Sequence, residues 1–204
     1  MDKCREILTE GLEFLGLDAD ADKLELLLRF IAVIEKWNKA YNLTAIRDKE
    51  EMARLHILDS LAILPHLHGK RLIDIGTGAG LPGIPLAIYR PDMEFVLLDS
   101  NAKKTRFVQQ AILELKLKNI SVIHSRVEDY QPTQGFDTVV SRAFASMGDI
   151  MKLTAHLLAE DGLLLAMKGQ QPDEELAALN RPYQIVPIVV PHVDAERCLI
   201  CISK

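Results

Sequence analysis

Leu72-Ile73-Asp74-Ile75-Gly76-Thr77-Gly78-Ala79-Gly80-Leu81-Pro82-Gly83 decides the fold. Leu72–Ile75 is a short apolar run of the kind that forms a buried strand, and three glycines at every second position follow at once. A helix begins near Leu81-Pro82-Gly83, because a proline is tolerated in a first helical turn. Strand, glycine turn and helix together bring backbone close to a nucleotide-like ligand. The dinucleotide fingerprint is G-x-G-x-x-G. Counted from Gly76, its sixth position is Leu81 and the next glycine is Gly83, so the exact fingerprint fails. The next apolar run ends in Leu97-Leu98-Asp99. An acid at that strand end, about 20 residues past the glycine loop, commonly takes ribose hydroxyls. The competing use of Asp99 is to cap the helix after Ser100.

Outward from this stretch, apolar runs alternate with amphipathic segments. The runs are Leu72–Ile75, Phe95–Leu98, Ile120–Ile123, Phe136–Val140, Leu163–Met167, Ile185–Val190 and Leu199–Ile202. Helices are expected over Gly83–Tyr89, Ala102–Lys116, Met147–Leu158 and Asp173–Leu179, with a short or irregular stretch near 126–131. Such alternation predicts a mostly parallel sheet with helices on both faces. The short link around Pro191–Glu196 suits an antiparallel hairpin at one edge. Before residue 69 the chain reads as helical. Leu24, Leu27, Leu28, Ile31 and Ile34 share a face after an Asp20 or Asp22 cap, in a helix running to about Asn38. A second helix is expected over Lys49–Leu64. The predicted organisation is an N-terminal helical extension, 1–68, and an α/β domain, 69–204, packed as one globular unit.

The 204 residues are 49% hydrophobic and 26% charged, enough for one buried core and neither disordered nor membrane-spanning in composition. The acidic start, Met1-Asp2-Lys3-Cys4-Arg5-Glu6, leads into no signal-peptide core, so a cytoplasmic protein is expected. Cys4, Cys198 and Cys201 make no disulfide framework. Cys198-Leu199-Ile200-Cys201 lies in a strand-like run, where a spacing of three sends the thiols to opposite faces. No metal site is expected. The net charge is -5, and residues 1–28, with eight acids against three bases, account for all of it. Residues 100–126 hold Lys103, Lys104, Arg106, Lys116, Lys118 and Arg126 against Glu114 alone. A local basic face is enough to engage phosphates despite an acidic total; charge alone fits a solvated helix face somewhat better.

The order Asp-x-Gly-x-Gly-x-Gly, strand by strand, resembles the first motif of class I S-adenosyl-methionine methyltransferases, whose Rossmann-like sheet has seven strands and a final hairpin. In them the glycines let the amino-acid end of the cofactor pass the backbone. The loop after the third strand, here Ser125-Arg126-Val127-Glu128-Asp129, lies against adenine. After the fourth strand comes Ser141-Arg142-Ala143-Phe144. Methylation of exocyclic base amines usually uses an Asn/Asp-Pro-Pro-aromatic motif there, and cytosine C5 chemistry a Pro-Cys thiolate; this chain has neither. An atom already nucleophilic is the target that remains. Guanine N7 is one, since its free lone pair needs no general base and catalysis rests on positioning.

Several segments together resemble one family. They are Trp37-Asn38-Lys39-Ala40-Tyr41-Asn42-Leu43-Thr44, His56-Ile57-Leu58-Asp59-Ser60, Asp74 through Pro85, Leu97-Leu98-Asp99-Ser100, Ser125-Arg126-Val127-Glu128 and Ser141-Arg142-Ala143-Phe144-Ala145. The family is the bacterial 16S rRNA guanine-N7 methyltransferase G family, also called glucose-inhibited division protein B, and the resemblance runs from about residue 20 to the C-terminus. It implies S-adenosyl-methionine as co-substrate and 16S rRNA or the small ribosomal subunit as partner. The implied target is a guanine N7 in the 530 loop, position 527 in the usual rRNA numbering. It implies cofactor contacts at Gly76, Leu81, Val127, Glu128 and Arg142, which join Thr77, Gly78 and Asp99 as candidates. Lys103, Lys104, Arg106, Arg126 and Lys168 become candidate RNA contacts. No general base, no membrane contact and a monomer are expected. A small-molecule methyltransferase, suggested by the acidic charge, and a dinucleotide-binding module, suggested by the glycine loop, are the competing readings. Trp37 and Tyr41 share a helix face and are read as core packing rather than a base platform. His56 is read as a satisfied buried histidine. Lys168-Gly169 either lines the substrate cleft or turns the chain.

Overall fold

The computed structural model describes residues 2–142 and 146–204; Ala143, Phe144 and Ala145 of the motif after the fourth strand lie outside them. One sheet of seven strands runs β3-β2-β1-β4-β5-β7-β6. The strands are β1 Arg71–Ile75, β2 Glu94–Asp99, β3 Ile120–His124, β4 Phe136–Arg142, β5 Leu158–Lys168, β6 Gln184–Pro187 and β7 Cys198–Ser203. β1 to β5 pair in parallel and β7 runs antiparallel between β5 and β6. The helices are α1 Asp2–Phe14, α2 Ala21–Tyr41, α3 Lys49–Met52, α4 Asp59–Leu61, α5 Gly83–Tyr89, α6 Ala102–Leu115, α7 Met147–Thr154 and α8 Asp173–Ala177.

Side-chain alternation along the strands builds two cores, one on each face of the sheet. Leu72, Phe95, Leu97, Val140 and Leu165 face one core, which the extension completes with Leu8, Leu12, Leu27, Phe30 and Ile34. Ile73, Ile75, Val96, Leu98 and Val139 face the other, closed by Met147 and Ile150 of α7. Cys198 belongs to this second core and Cys201 packs against the first, as their spacing predicts. Trp37 packs tilted against Tyr41, ring centroids 5.0 Å apart, and edge-on to Phe107 of α6 at 5.9 Å, so this pair joins extension to sheet domain through packing.

Several boundaries differ from expectation, among them the start of β5, which lies at Leu158 rather than Leu163. α1 was not resolved from the sequence, although Cys4, Leu8 and Leu12 recur at helical spacing, because its acids dominate the reading. The helix expected over Lys49–Leu64 contains a π-helical turn at Ala53–Leu58 between α3 and α4, and a 3-10 turn at Leu64–His66 follows. α7 ends at Thr154 rather than Leu158, since Phe136 N–H donates to Leu157 O at 2.7 Å and Leu158 already pairs with Phe136 in the sheet. β6 stops at Pro187, three residues short of the predicted end, and a proline interrupts an edge ladder there.

Asp20 caps α2, accepting from Asp22 N–H and Lys23 N–H at 3.1 and 3.0 Å. At its other end Asn42 adopts φ 48°, and Asn38 pins the loop that follows. The Asn38 amide donates to Thr44 O at 3.0 Å and its Oδ1 accepts from Thr44 N–H at 3.0 Å. That loop becomes one wall of the site described next.

Candidate active site

The sheet reverses direction of winding between β1 and β4, and ligands of open α/β sheets bind at the strand C-termini at such a point. The glycine loop leaves β1 there. Gly76 and Thr77 N–H both donate to Leu98 O, at 2.8 and 3.1 Å, which ties the loop to β2. Gly76 (φ 67°) and Gly78 (φ 60°) occupy the left-handed region, where a side chain is strained. Gly76 and Gly78 keep part of their backbone exposed while Thr77 and Ala79 are buried.

Under the loop lies Asp74, fully buried at the end of β1. Its Oδ2 accepts from the Thr77 hydroxyl at 2.7 Å and from Gly83 N–H at 2.9 Å. Among the described residues its Oδ1 has no partner, and neither has the buried hydroxyl of Ser141 on the neighbouring β4. Burial raises the Asp74 carboxyl to about 6 against the lowering effect of those two hydrogen bonds and of Arg142. A buried acceptor without a donor is costly, and its place beside a strained glycine loop is what an ammonium-bearing ligand would satisfy.

Asp99 latches the loop from the other side. Its Oδ2 accepts from Gly78 N–H at 2.9 Å and its Oδ1 from Asn101 N–H at 2.8 Å. The helix cap is Asn101, whose Oδ1 accepts from Lys103 N–H and Lys104 N–H, so Asp99 is not the cap of α6. A cleft of about 390 Å³ brings together Gly76, Asp99, Lys104, Arg126, Val127 and Glu128. The stretch expected to be short or irregular is a turn at 127–129; Val127 is buried, and Glu128 lies 3.6 Å from Arg126 in an exposed pair. Thr77 and Leu81 are buried beneath the loop and do not line the cleft. Lys103 and Arg106 lie exposed on α6 outside it. The chemistry of the residues present fits S-adenosyl-methionine: glycine backbone and the Asp99 carboxylate line the cleft with the apolar Val127, and a buried Asp74 oxygen beneath the loop keeps an unused acceptor.

Arg142, the last residue of β4, lines a different cavity together with Lys168. This cavity, about 480 Å³, lies between the extension and the sheet domain. The π-helical turn and α4 supply His56 and Asp59, and the pinned loop supplies Thr44, Ala45 and Ile46. Asp59 is buried, with Arg197 Nε donating to its Oδ1 at 2.8 Å and Arg142 Nη1 at 3.6 Å from its Oδ2. Lys168 Nζ lies 3.3 Å from Glu175. Sequence reasoning did not select Asp59, Arg197, Ser141 or the Asp74 acceptor as site residues. The available signal was an acid on the otherwise apolar face of Met52, Leu55, His56 and Ile63, since a buried carboxylate needs a cation.

His56 is buried, as expected. Its Nε2 lies 2.8 Å from Thr44 Oγ1, and its Nδ1 lies 3.2 Å from Leu55 O. Burial, reinforced by Arg142, lowers its pKa to about 4, so the ring is neutral at neutral pH. A histidine whose folded pKa lies below its unfolded value takes up its proton more readily when unfolded. Its contribution to stability is therefore intact above pH 6.5 and lost as the pH falls toward 4. In urea unfolding at pH 7 and pH 4.5, His56→Gln should remove on the order of 2 kcal/mol of the acid-induced loss that the parent protein shows. Equal losses in both proteins would show that His56 does not carry it.

Fold, strand order and loop geometry define a class I S-adenosyl-methionine-dependent methyltransferase. Among solved structures, that of tRNA (m1A58) methyltransferase TrmI from Aquifex aeolicus is similar in fold, with a TM-score of 0.59 at 17% identity, covering 72% of this chain and 68% of that one. Residues 23–199 match the family model GidB, rRNA small subunit methyltransferase G, and the chain belongs to that family. It is 53% identical to Ribosomal RNA small subunit methyltransferase G of Legionella pneumophila (strain Lens), over 99% of this chain and 96% of that one. It is 52% identical to the protein of the same name from Shewanella amazonensis, over 98% of each.

Proposed function

We propose that this chain methylates N7 of a guanine in the 530 loop of 16S rRNA, position 527 in the usual rRNA numbering. The observation that carries the reading is the match to small-subunit rRNA methyltransferases along nearly the whole chain, the helical extension included. S-adenosyl-methionine, when bound, supplies an electrophilic methyl group on a sulfonium sulfur. The N7 lone pair forms the new bond while the sulfur takes back the electron pair of the old one. No proton leaves before attack, so the protein needs to place two partners and exclude water rather than supply a base. In this reading Gly76, Thr77, Gly78, Leu81, Asp99, Val127 and Glu128 form or support the cofactor cleft, and Arg142 bridges it to the substrate side. Lys103, Lys104, Arg106, Arg126 and Lys168 meet RNA phosphates, with Lys104 and Arg126 on the cleft itself. Residues 1–68 shape the substrate side of the 69–204 methyltransferase domain. The protein acts as a cytoplasmic monomer and needs no metal. Among the described residues no helix is long and apolar enough to cross a membrane.

The test is direct. Reduction and aniline cleavage of 16S rRNA, read by primer extension, should show a 7-methylguanine stop in the 530 loop that disappears when the gene is deleted and returns on complementation. A stop that persists in the deletion strain refutes the reading. Labelled transfer into a metabolite extract, with none into RNA or 30S subunits, would favour a small-molecule substrate instead.

Asp74 adds a pH signature. Its carboxyl is raised to about 6 by burial, with Asp99 adding to the rise and Arg142 opposing it. A cofactor ammonium favours the ionised form, so affinity for S-adenosyl-methionine should hold above pH 6 and weaken by up to about tenfold per pH unit below it. Asp74→Asn should bind more weakly at pH 7 and lose that slope in calorimetric titrations between pH 5 and 7.5. An unchanged slope in the variant would assign it to another group.

A further inference from the structure

Arg142 and Lys168 lie on the second cavity. Its residues come from parts of the chain far apart in sequence: Thr44, His56 and Asp59 from the extension, Arg142 and Lys168 from the ends of β4 and β5, and Arg197 from the residue before β7. At about 480 Å³ it falls within the range of small-ligand pockets, about 300–1,000 Å³. It adjoins the cofactor cleft, because Ser141, the residue before Arg142, pairs with Ile75, the residue before Gly76. Enzymes that act on a ring atom of a base extrude the nucleotide into such a pocket.

Its charges have a particular arrangement. Two guanidiniums converge on one buried carboxylate, Arg197 through a 2.8 Å hydrogen bond and Arg142 at 3.6 Å. Arg142 and Arg197 keep about a quarter of their side-chain surface exposed, 27% and 25%, whereas Asp59 keeps 6%. All three line the cavity, with the carboxylate buried against the arginines and the arginines keeping the more exposed surface. Two positive groups against one negative leave an excess positive charge that suits a single phosphodiester, and planar guanidiniums suit its paired oxygens. Without the carboxylate the two cations would repel each other and separate.

We propose that this cavity receives the target nucleotide in extruded form, its phosphodiester against Arg142 and Arg197, and that Asp59 is the positioning residue that holds both guanidiniums in place. The proposal rests on the rRNA reading. In it Asp59 acts through the two arginines that it pairs with.

Two measurements separate the proposal from that reading. The first follows the His56 ring signals by NMR during titration with 5′-GMP. Saturable shifts are expected, with binding at least tenfold weaker in Asp59→Asn. The second measures single-turnover methyl transfer to 30S subunits together with S-adenosyl-methionine affinity. Asp59→Asn should lower the rate at least 100-fold, leave cofactor affinity within twofold, and regain part of the rate as Asp59→Glu. Adding Arg197→Gln to Asp59→Asn should cost nothing more. A near-native rate in Asp59→Asn, or losses that multiply in the double variant, overturns the positioning role. Should Asp59→Asn fail to fold by circular dichroism, Arg197→Gln alone takes its place, with a tenfold loss at unchanged cofactor affinity expected and a native rate decisive against it. Transfer to 30S subunits without a GMP response overturns the pocket. A GMP response without transfer overturns the rRNA reading and leaves the pocket.

Discussion

Gly76→Val is expected to weaken binding of S-adenosyl-methionine by at least about 100-fold while leaving the fold intact. Two effects combine. Gly76 sits at φ 67°, a region that costs an L-residue about 1–2 kcal/mol and a β-branched one more. Its N–H is tied to Leu98 O at 2.8 Å, so the loop cannot relax without leaving the strand to which it is attached. Gly76 also lines the cleft with Asp99 and Val127, so the substitution adds bulk at the wall of the site. Calorimetric titration with the cofactor, beside far-UV circular dichroism, reads both parts. Affinity within threefold of the parent protein would remove Gly76 from the site.

Asp99→Ala should be the next most severe change, with cofactor affinity falling on the order of 100-fold. Each Asp99 oxygen already accepts one backbone N–H and keeps a lone pair for a ribose hydroxyl. Hydrogen bonds to a charged group are worth about 1.5–3 kcal/mol, so losing a pair of hydroxyl contacts accounts for that factor. The variant also frees Gly78 N–H from its 2.9 Å bond and loosens the loop. Asp99→Asn should fall between Asp99→Ala and the parent protein, because its side-chain oxygen can still accept from Gly78 N–H while its NH₂ can accept neither from Asn101 N–H nor from a hydroxyl. If Asp99→Ala bound the 2′-deoxyribose analogue of the cofactor and the parent cofactor with the same ratio as the unmodified protein, the ribose role would be wrong.

The two arguments draw on residues that differ in how openly the sequence displays them. Gly76, Gly78 and Asp99 are legible because their roles follow from chain order: a strand, a turn that only glycine adopts easily, and an acid at the end of the next strand. Val127 and Glu128 are named by the family resemblance, and both line the same cleft as Gly76 and Asp99. Arg142 was assigned to the cofactor by resemblance. The structure puts it in the neighbouring cavity with Asp59, a contact that depends on where the extension lies. Lys103 and Arg106 were grouped with Lys104 by their charge, yet only Lys104 turns toward the cleft, because helical geometry separates adjacent residues by about 100°.

Sequence periodicity by itself determined the strands, the helices between them and the edge hairpin, since alternation and helical spacing are properties of neighbouring residues. It also determined the glycine loop and Asp99, which lie within one βαβ unit and meet at Gly78 N–H. The π-helical turn that brings His56 and Asp59 to one cavity was decided by tertiary structure, as was the pairing of Asp59 with Arg197, 138 residues away. So was the burial of Asp74 with one oxygen unsatisfied. Each of these depends on the free energy of burying a polar or charged group, which is set by what else packs around it and is not carried by any local run of residues.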